Sequence, residues 1–319
     1  MSEVQQPCDV SIVVVSFNTR DDLSELLDDL SRVLEESRNA VRVVVVDNGS
    51  TDGSARSVRE RHAAFHLVEA GENLGFPRAC NIGMESSPAR FHLLLNPDTR
   101  IQPRDVDRLV ECAEEVGPGL FGPLILLPDG RVQPSCFREP TLANILAETT
   151  LLRPVRPLIP SRFRRELPAP QHGCPSCVPV LLGAAVLVSD EVIAKVGPLD
   201  EEYFWMEFSE FCARAARAGF PSWFVPDSRV IHKEGRARRR FRLVSTGSYL
   251  LSERRFFSVH RTPWQSSAMR ALRHTELLLK WALLAVAGLV SPTARARRGE
   301  AERLLEVYSR PLATWRDLL

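Results

Sequence analysis

The sequence predicts an α/β protein with a doubly wound parallel sheet, and three observations carry that expectation. Continuous apolar runs of strand length stand at Val10–Ser16, Val41–Val46 and Phe91–Leu95, the pattern of strands buried on both faces. Segments with helical spacing alternate with them over the first ~120 residues, which favours parallel pairing. Two of the runs end abruptly in short polar side chains, VVVVDNGSTDGS at 43–54 and FHLLLNPDTR at 91–100. Ligands of open parallel sheets bind outside the carboxyl ends of the strands. Asp47 and Asp98, closing two such strands, therefore mark a candidate nucleotide and metal site.

The elements follow in order. After the first strand, Asn18-Thr19-Arg20-Asp21 offers a helix cap, and Leu23, Leu26, Leu27, Leu30 and Val33 repeat at helical spacing. Val41–Val46 is the second strand, Ser54–His62 a helix and Phe65–Glu69 a short strand. The loop Gly71–Phe76 leads to a helix around Arg78–Met84, then the Phe91–Leu95 strand and an amphipathic helix over Val106–Val116. The period changes after Gly117. Leu120–Pro134 reads as a hairpin turning at Asp129-Gly130. Leu151–Pro170, rich in Pro and Arg, reads as a loop. Val180–Ser189 is strand material, Glu191–Val196 a short helix, and Glu207–Ala218 a helix stopped by Gly219. Ser222–Pro226 is a strand leading to Val230-Ile231-His232. The last third is mainly helical. The expected division is 1–240, in halves 1–117 and 118–240, followed by a helical extension over 241–319.

Composition narrows the function classes. Hydrophobic residues make up 44% and charged residues 25% of the chain, as in soluble globular proteins. The 41 basic and 40 acidic residues leave a net charge of +1, which does not favour nucleic acid as a partner. The basic run Arg236–Arg242 is a local exception. The N-terminus lacks a basic region followed by an apolar one, so a cytoplasmic location is expected. Seven cysteines at irregular spacing argue for reduced thiols, and Cys174 and Cys177 are read as ordinary unpaired thiols. Residues 277–290 are the most apolar stretch, shorter than the ~20 residues a spanning helix needs. They suit an interfacial helix on anionic lipid or, equally, a core or homo-oligomer helix.

At the strand ends, Asp47 and Asn48 have the chemistry to read a nucleobase and ribose, although an Asx-rich turn capping the next helix has the same composition. Asp98 is placed like a ligand for Mg²⁺ or Mn²⁺ beside water and a diphosphate, or like a helix cap before Pro103-Arg104. No G-x-G-x-x-G follows the first strand, which argues against a dehydrogenase.

SIVVVSFN at 11–18, VVDNGSTDGS at 45–54, ENLGFPRACNIG at 72–83 and LLLNPDT at 93–99 stand in one order with LLGAAVLVSDEVIAKVGPLDEEYFWMEFSEFCARAARAG at 181–219 and VPDSRVIH at 225–232. In that order the chain resembles the inverting family-2 glycosyltransferases, most of all their bacterial rhamnosyltransferase-type branch. The resemblance implies a GT-A fold and transfer of a sugar from a nucleotide diphosphate donor. It implies that Ser16, Phe17 and Asn18 line the nucleotide pocket, that Asp47 bonds the base, and that Asn48 and Ser50 shape its loop. Asn73, Gly75, Phe76 and Asn81 match the loop beneath the nucleoside and sugar. Asn96 and Asp98 take the place of the metal-binding Asp-x-Asp, and His232 matches a histidine near the metal or diphosphate. Gly183 and Ala184 match a small-residue stretch that lets backbone approach the sugars.

Inversion needs a carboxylate to take the acceptor proton. The matching acidic cluster is Glu207-Phe208-Ser209-Glu210, with Phe208 where the resemblance implies a second acid. Glu207 is ranked first and Glu210 second. The expected donor is an activated sugar such as dTDP-rhamnose, and the expected acceptor a glycan or polyprenyl-linked glycan at the inner face of the cell membrane. The alternatives are a catalytically weakened sugar-nucleotide-binding or scaffold relative, motivated by Phe208, and a nucleotidyltransferase.

Overall fold

The computed structural model describes residues 8–149, 152, 157–168, 174–233, 242–289, 291–310 and 315–318. The chain divides into two units. The first comprises 1–138, 166–201 and 208–234; the second comprises 139–165, 202–207 and 235–319. The basic run at 236–241 and part of the Pro- and Arg-rich stretch at 151–170 lie outside the described residues.

The first unit opens with β1 (Val10–Ser16), α1 (Arg20–Glu36), β2 (Val41–Asp47), α2 (Ser54–Arg61), β3 (His66–Glu69), α3 (Phe76–Ser86) and β4 (Phe91–Leu95). The strands pair in parallel in the order β3-β2-β1-β4, the predicted doubly wound start. Alternation along each buried strand feeds two cores. Ile12, Val14, Val43 and Val45 pack against α1 on one face, while Val13, Val15, Val44 and Val46 meet α3 on the other. The unit continues with β5 (Thr99–Arg100), α4 (Pro103–Val116), β6 (Leu120–Leu126) and β7 (Cys136–Phe137).

Where the sequence reads a hairpin over Leu120–Pro134, the turn forms, with the Leu127 N–H bonding the Arg131 carbonyl at 2.8 Å. Its return arm is a single bridge from Leu126 to Val132. The expected strand over Val180–Ser189 is two strands. β8 (Ser176–Val178) precedes β9 (Val180–Leu181), which pairs with β7, and β10 (Ala185–Ser189), which joins the main sheet antiparallel between β4 and β6. The break falls at Gly183. After α6 (Asp190–Val196) comes a helix over Glu207–Arg217, α7, whose Phe208, Phe211 and Cys212 enter the second core.

The last strand of the unit, β11 (Ser222–His232), runs parallel to β6 with a bulge between Val225 and Arg229. Pro226 and Asp227 made it read as two pieces. Asp105 of α4 holds the bulge: its Oδ1 accepts the Arg229 N–H at 3.0 Å and its carbonyl accepts the Ser228 hydroxyl at 2.8 Å. The strand therefore continues to pair His232 with Thr99 of β5.

The second unit is helical, with α5 (Leu142–Ala147), α8 (Arg242–His260), α9 (Pro263–Ala287) and α10 (Pro292–Ser309). A capping box between Thr141 and Asn144 starts α5. A buried ion triad joins α8 to α9, in which Arg273 meets Glu253 at 2.7 Å and Glu276 at 2.6 Å. Residues 278, 279, 283, 286 and 289 are exposed, whereas Leu277 joins a buried cluster with Leu304 and Val307. Among the described residues no helix is long and apolar enough to cross a membrane.

Candidate active site

The carboxyl ends of β2, β1 and β4 lie side by side and carry the polar residues the sequence singles out. Ser16 stands opposite Asp47 in register, and its hydroxyl lies 2.9 Å from that of Thr19. Asn18 adopts a φ of +55°, a left-handed conformation that Asn tolerates better than most residues. That turn aims its N–H at the Ser50 hydroxyl (3.0 Å) and its Oδ1 at the Thr51 N–H (2.8 Å), so the first two strand ends are tied together. Phe17 lies between these two residues and is half-buried.

Asp47 is buried, and its two oxygens differ. Oδ2 accepts the Ser50 N–H at 3.0 Å, whereas Oδ1 is buried without a hydrogen-bond partner among the described residues. An unmet buried carboxylate oxygen is costly, and a donor N–H on a bound base would satisfy it. Asn48 bonds the Asn73 side chain at 3.0 Å and the Leu74 N–H at 2.9 Å, while Asn73 accepts the Gly75 N–H at 3.0 Å. Together they fix the 72–75 loop to the end of β2. Gly49, at a φ of +82°, leaves no room for a Cβ, which would come within 2.7 Å of the Glu72 backbone. Phe76 begins α3 and remains half-exposed. Asn81 is held from the other side. Its amide is buried and bonded both ways to Leu199, Nδ2 to the carbonyl at 2.9 Å and Oδ1 to the N–H at 3.0 Å. Asn81 thus clamps the chain before α7, its Nδ2 also reaching Glu201 Oε1 at 3.3 Å.

Past β4, the Asn96 N–H bonds the Ala184 carbonyl at 3.0 Å and its own carbonyl accepts the Thr99 hydroxyl at 2.7 Å. This turn presents Asp98. The end of β11 is fastened to it, because the Lys233 N–H bonds the Asp98 carbonyl at 2.9 Å. His232 Nε2 then lies 3.3 Å from Asp98 Oδ1, and its Nδ1 lies 2.9 Å from Gln133 Oε1. Lys233 also pairs with Asp22 (3.1 Å) and Glu25 (2.7 Å) of α1. No cluster of three or more His, Cys, Asp or Glu placed to hold a metal occurs among the described residues. The donors present, one hard carboxylate and one imidazole, suit an ion that takes its remaining ligands from phosphate oxygens and water.

Gly183 has a packing reason. A Cβ there would lie 2.2 Å from Phe208 Cδ2, so the glycine makes room for a ring that is itself in the core. Phe208 belongs to the hydrophobic face of α7. Glu210 is also committed, with Arg214 bonding both its oxygens at 3.0 and 2.9 Å. Glu207, the first residue of α7, differs. Its Oε2 is buried without a hydrogen-bond partner among the described residues, and burial pushes its carboxyl pKa up to about 7. The preceding residue, Met206, has a φ of +68°, a conformation that costs a non-glycine residue about 1–3 kcal/mol and gathers at functional sites. Tyr203 is fully buried, with the Arg255 guanidinium 5.6 Å from its ring centroid. The seven cysteines are free thiols.

Sequence reasoning missed Gln133, Lys233 and Met206. Gln133 is 99 positions from its partner, and neither backbone strain nor a distant pairing leaves a local pattern.

A sheet that begins as a parallel array, with polar strand ends and an Asp–His pair, is set out as open α/β sheets are that bind ligands at their strand ends, and comparison with known proteins narrows the kind. The family model described as Glycosyl transferase family 2 matches residues 11–132. An N-acetylglucosaminyl-diphospho-decaprenol L-rhamnosyltransferase of Mycobacterium tuberculosis is 29% identical over 286 residues, 84% of this chain and 90% of its own. The dTDP-rhamnosyl transferase RfbF of Shigella flexneri is 23% identical over 229 residues, 70% of this chain and 68% of its own. The fold is similar to that of the mannosyltransferase PcManGT from Pyrobaculum calidifontis, solved with GDP-Man and Mn2+. The TM-score is 0.54 at 16% identity, covering 94% of this chain and 86% of that one. This is a GT-A fold. Residues 11–132 thus match the family-2 glycosyltransferases, and over most of its length the chain is similar to rhamnosyltransferases.

Proposed function

We propose that this enzyme moves rhamnose from dTDP-rhamnose to a hydroxyl of a polyprenyl-diphosphate-linked sugar, with inversion, at the inner face of the cell membrane. The observation that carries the metal-assisted, nucleotide-sugar part of this reading is the convergence of Asp98 and His232 at the strand ends. The relatives' names supply the donor and acceptor class.

In the reaction, Glu207 takes the proton of the acceptor hydroxyl. The acceptor oxygen forms its bond to the anomeric carbon from the side opposite the diphosphate. The carbon–oxygen bond to the diphosphate breaks, and dTDP departs with the electron pair. A carboxyl with a pKa of about 7 is well matched to a base working near neutral pH. Asp47 Oδ1 receives the imide N–H of thymine, and Asn18, Ser50 and Asn73 hold the loops around it. Asp98 and His232 would hold Mg²⁺ or Mn²⁺, which supplies charge neutralisation for the departing diphosphate.

The test is release of nucleoside diphosphate from a panel of dTDP-, UDP- and GDP-sugars, with and without a polyprenyl-diphosphate acceptor. Acceptor-stimulated release from dTDP-rhamnose, with the product's anomeric configuration inverted by NMR, is expected. Donor binding without turnover in the presence of acceptor would favour an inactive sugar-nucleotide-binding relative.

A further inference from the structure

Helix α9 shows solvent one face without a charge along its length. At 100° per residue, Trp264, Ala271, Leu279, Ala282 and Val286 fall on one side, and all are exposed, as is Leu289 just past the helix end. Leu278 and Leu283 widen the strip. The exposures are large where the side chains are large, 65% for Trp264, 65% for Leu283, 70% for Val286 and 81% for Leu289. The opposite side is buried and holds Met269, Arg273, Glu276 and Leu277. A continuous exposed apolar strip of this kind marks an interaction surface.

Charge identifies what it meets. Between Pro263 and Gly299 the only acidic residue is Glu276, and it is buried against Arg273. The same stretch carries Arg270, Lys280, Arg295 and Arg297, none in an ion pair among the described residues. Arg270 lies beyond the Leu278 edge of the strip and Arg295 and Arg297 at the start of α10, whereas Lys280 is half-buried on the side of Met269 and Arg273. An apolar face edged by unneutralised cations fits an anionic lipid interface, whereas two copies joined through this face would bring like charges together.

We propose that this face is a lipid-interface anchor. Helix α9 lies in the plane of an anionic membrane surface, with Leu279, Leu283, Val286 and Leu289 in the acyl boundary and Trp264 at headgroup level. Arg270, Arg295 and Arg297 meet the lipid phosphates. This deepens the reading above by stating how a polyprenyl-linked acceptor is met, but vesicle binding reads it without any turnover.

The experiment is co-sedimentation of the full chain with phosphatidylglycerol/phosphatidylcholine vesicles and with phosphatidylcholine alone. Sedimentation with the anionic vesicles only, weakened by salt, is expected. The Leu283→Glu/Val286→Glu double variant should lose at least about 10-fold in partition, and Arg295→Glu/Arg297→Glu should lose the preference for anionic lipid. Both variants should keep wild-type circular dichroism and donor binding, because these side chains are exposed. Wild-type protein left in the supernatant with anionic vesicles would overturn the anchor. So would a lipid-free wild-type dimer that Leu283→Glu/Val286→Glu converts to monomer. Absent vesicle binding with intact dTDP release would refute the anchor alone, and vesicle binding without transfer would refute the functional reading alone.

Discussion

Gln133 Oε1 lies 2.9 Å from His232 Nδ1, on the far side of the ring from the nitrogen that faces Asp98. With Gln133 Oε1 accepting, the proton of that bond belongs to Nδ1, the tautomer that would offer Nε2 to an ion held beside Asp98. Such a partner orients a metal-ligating histidine and fixes its tautomer.

Gln133→Leu should therefore lower Mn²⁺-dependent donor affinity about 10–100-fold, measured by calorimetry with Mn²⁺ and with chelator. Gln133→Glu, which still accepts from Nδ1, should retain most of it. Equal metal-dependent affinity in wild type and Gln133→Leu would remove the positioning role.

Glu207→Gln should cut kcat by about 10²-fold or more and leave donor binding nearly unchanged. The wild-type rate should rise with pH through about 7 as the Glu207 carboxyl ionises. Stability runs the other way. The folded pKa is above the ordinary value of 4.5, so the stabilising contribution is full below 4.5 and is lost as pH rises through about 7. Glu207→Gln should melt higher than wild type at pH 8 and alike at pH 4. Glu210→Gln, which breaks the Arg214 pair, should lower stability more than kcat. An unimpaired Glu207→Gln enzyme would assign the base elsewhere.

Asp47 offers one unmet acceptor oxygen. Thymine and uracil present an imide N–H to it, whereas adenine presents an acceptor at the equivalent ring position. The wild-type protein should prefer dTDP and UDP over ADP, and Asp47→Ala should weaken dTDP binding by about 10–100-fold, since bonds to charged groups are worth ~1.5–3 kcal/mol. A base preference unaltered by Asp47→Ala would contradict the assignment.

Gly183→Ala places a methyl group 2.2 Å from the Phe208 ring. Overpacking of this kind costs about 1–3 kcal/mol, which urea denaturation would register, and Phe208→Leu in the same chain should restore part of it. Wild-type stability in Gly183→Ala would show that the ring moves freely and that the glycine has another reason.

The nucleotide half was legible because its strands are unbroken apolar runs and its loops end them abruptly. Val10–Ser16 and Val41–Asp47 form as read, to within one residue. What was illegible depends on distance or on backbone shape. β11 reads as two pieces because Pro226 and Asp227 interrupt it, and only Asp105, over 120 positions away, explains how the strand continues. The bonds of Asn81 to Leu199, 118 positions away, leave no trace in the local sequence. The separate fates of Glu207, whose Oε2 has no partner among the described residues, and Glu210, committed to Arg214, cannot be told from an i, i+3 spacing.

The most direct test of the central claim is rhamnosyl transfer from dTDP-rhamnose to a polyprenyl-diphosphate-linked acceptor, in Mn²⁺ and in chelator, for wild type and Asp98→Ala. Product formation by wild type in Mn²⁺, abolished by chelator and reduced at least about 10²-fold by Asp98→Ala, is the predicted result. Equal turnover in chelator, or full activity in Asp98→Ala, would contradict the assignment of the Asp98–His232 pair as the site where a divalent ion meets the donor diphosphate.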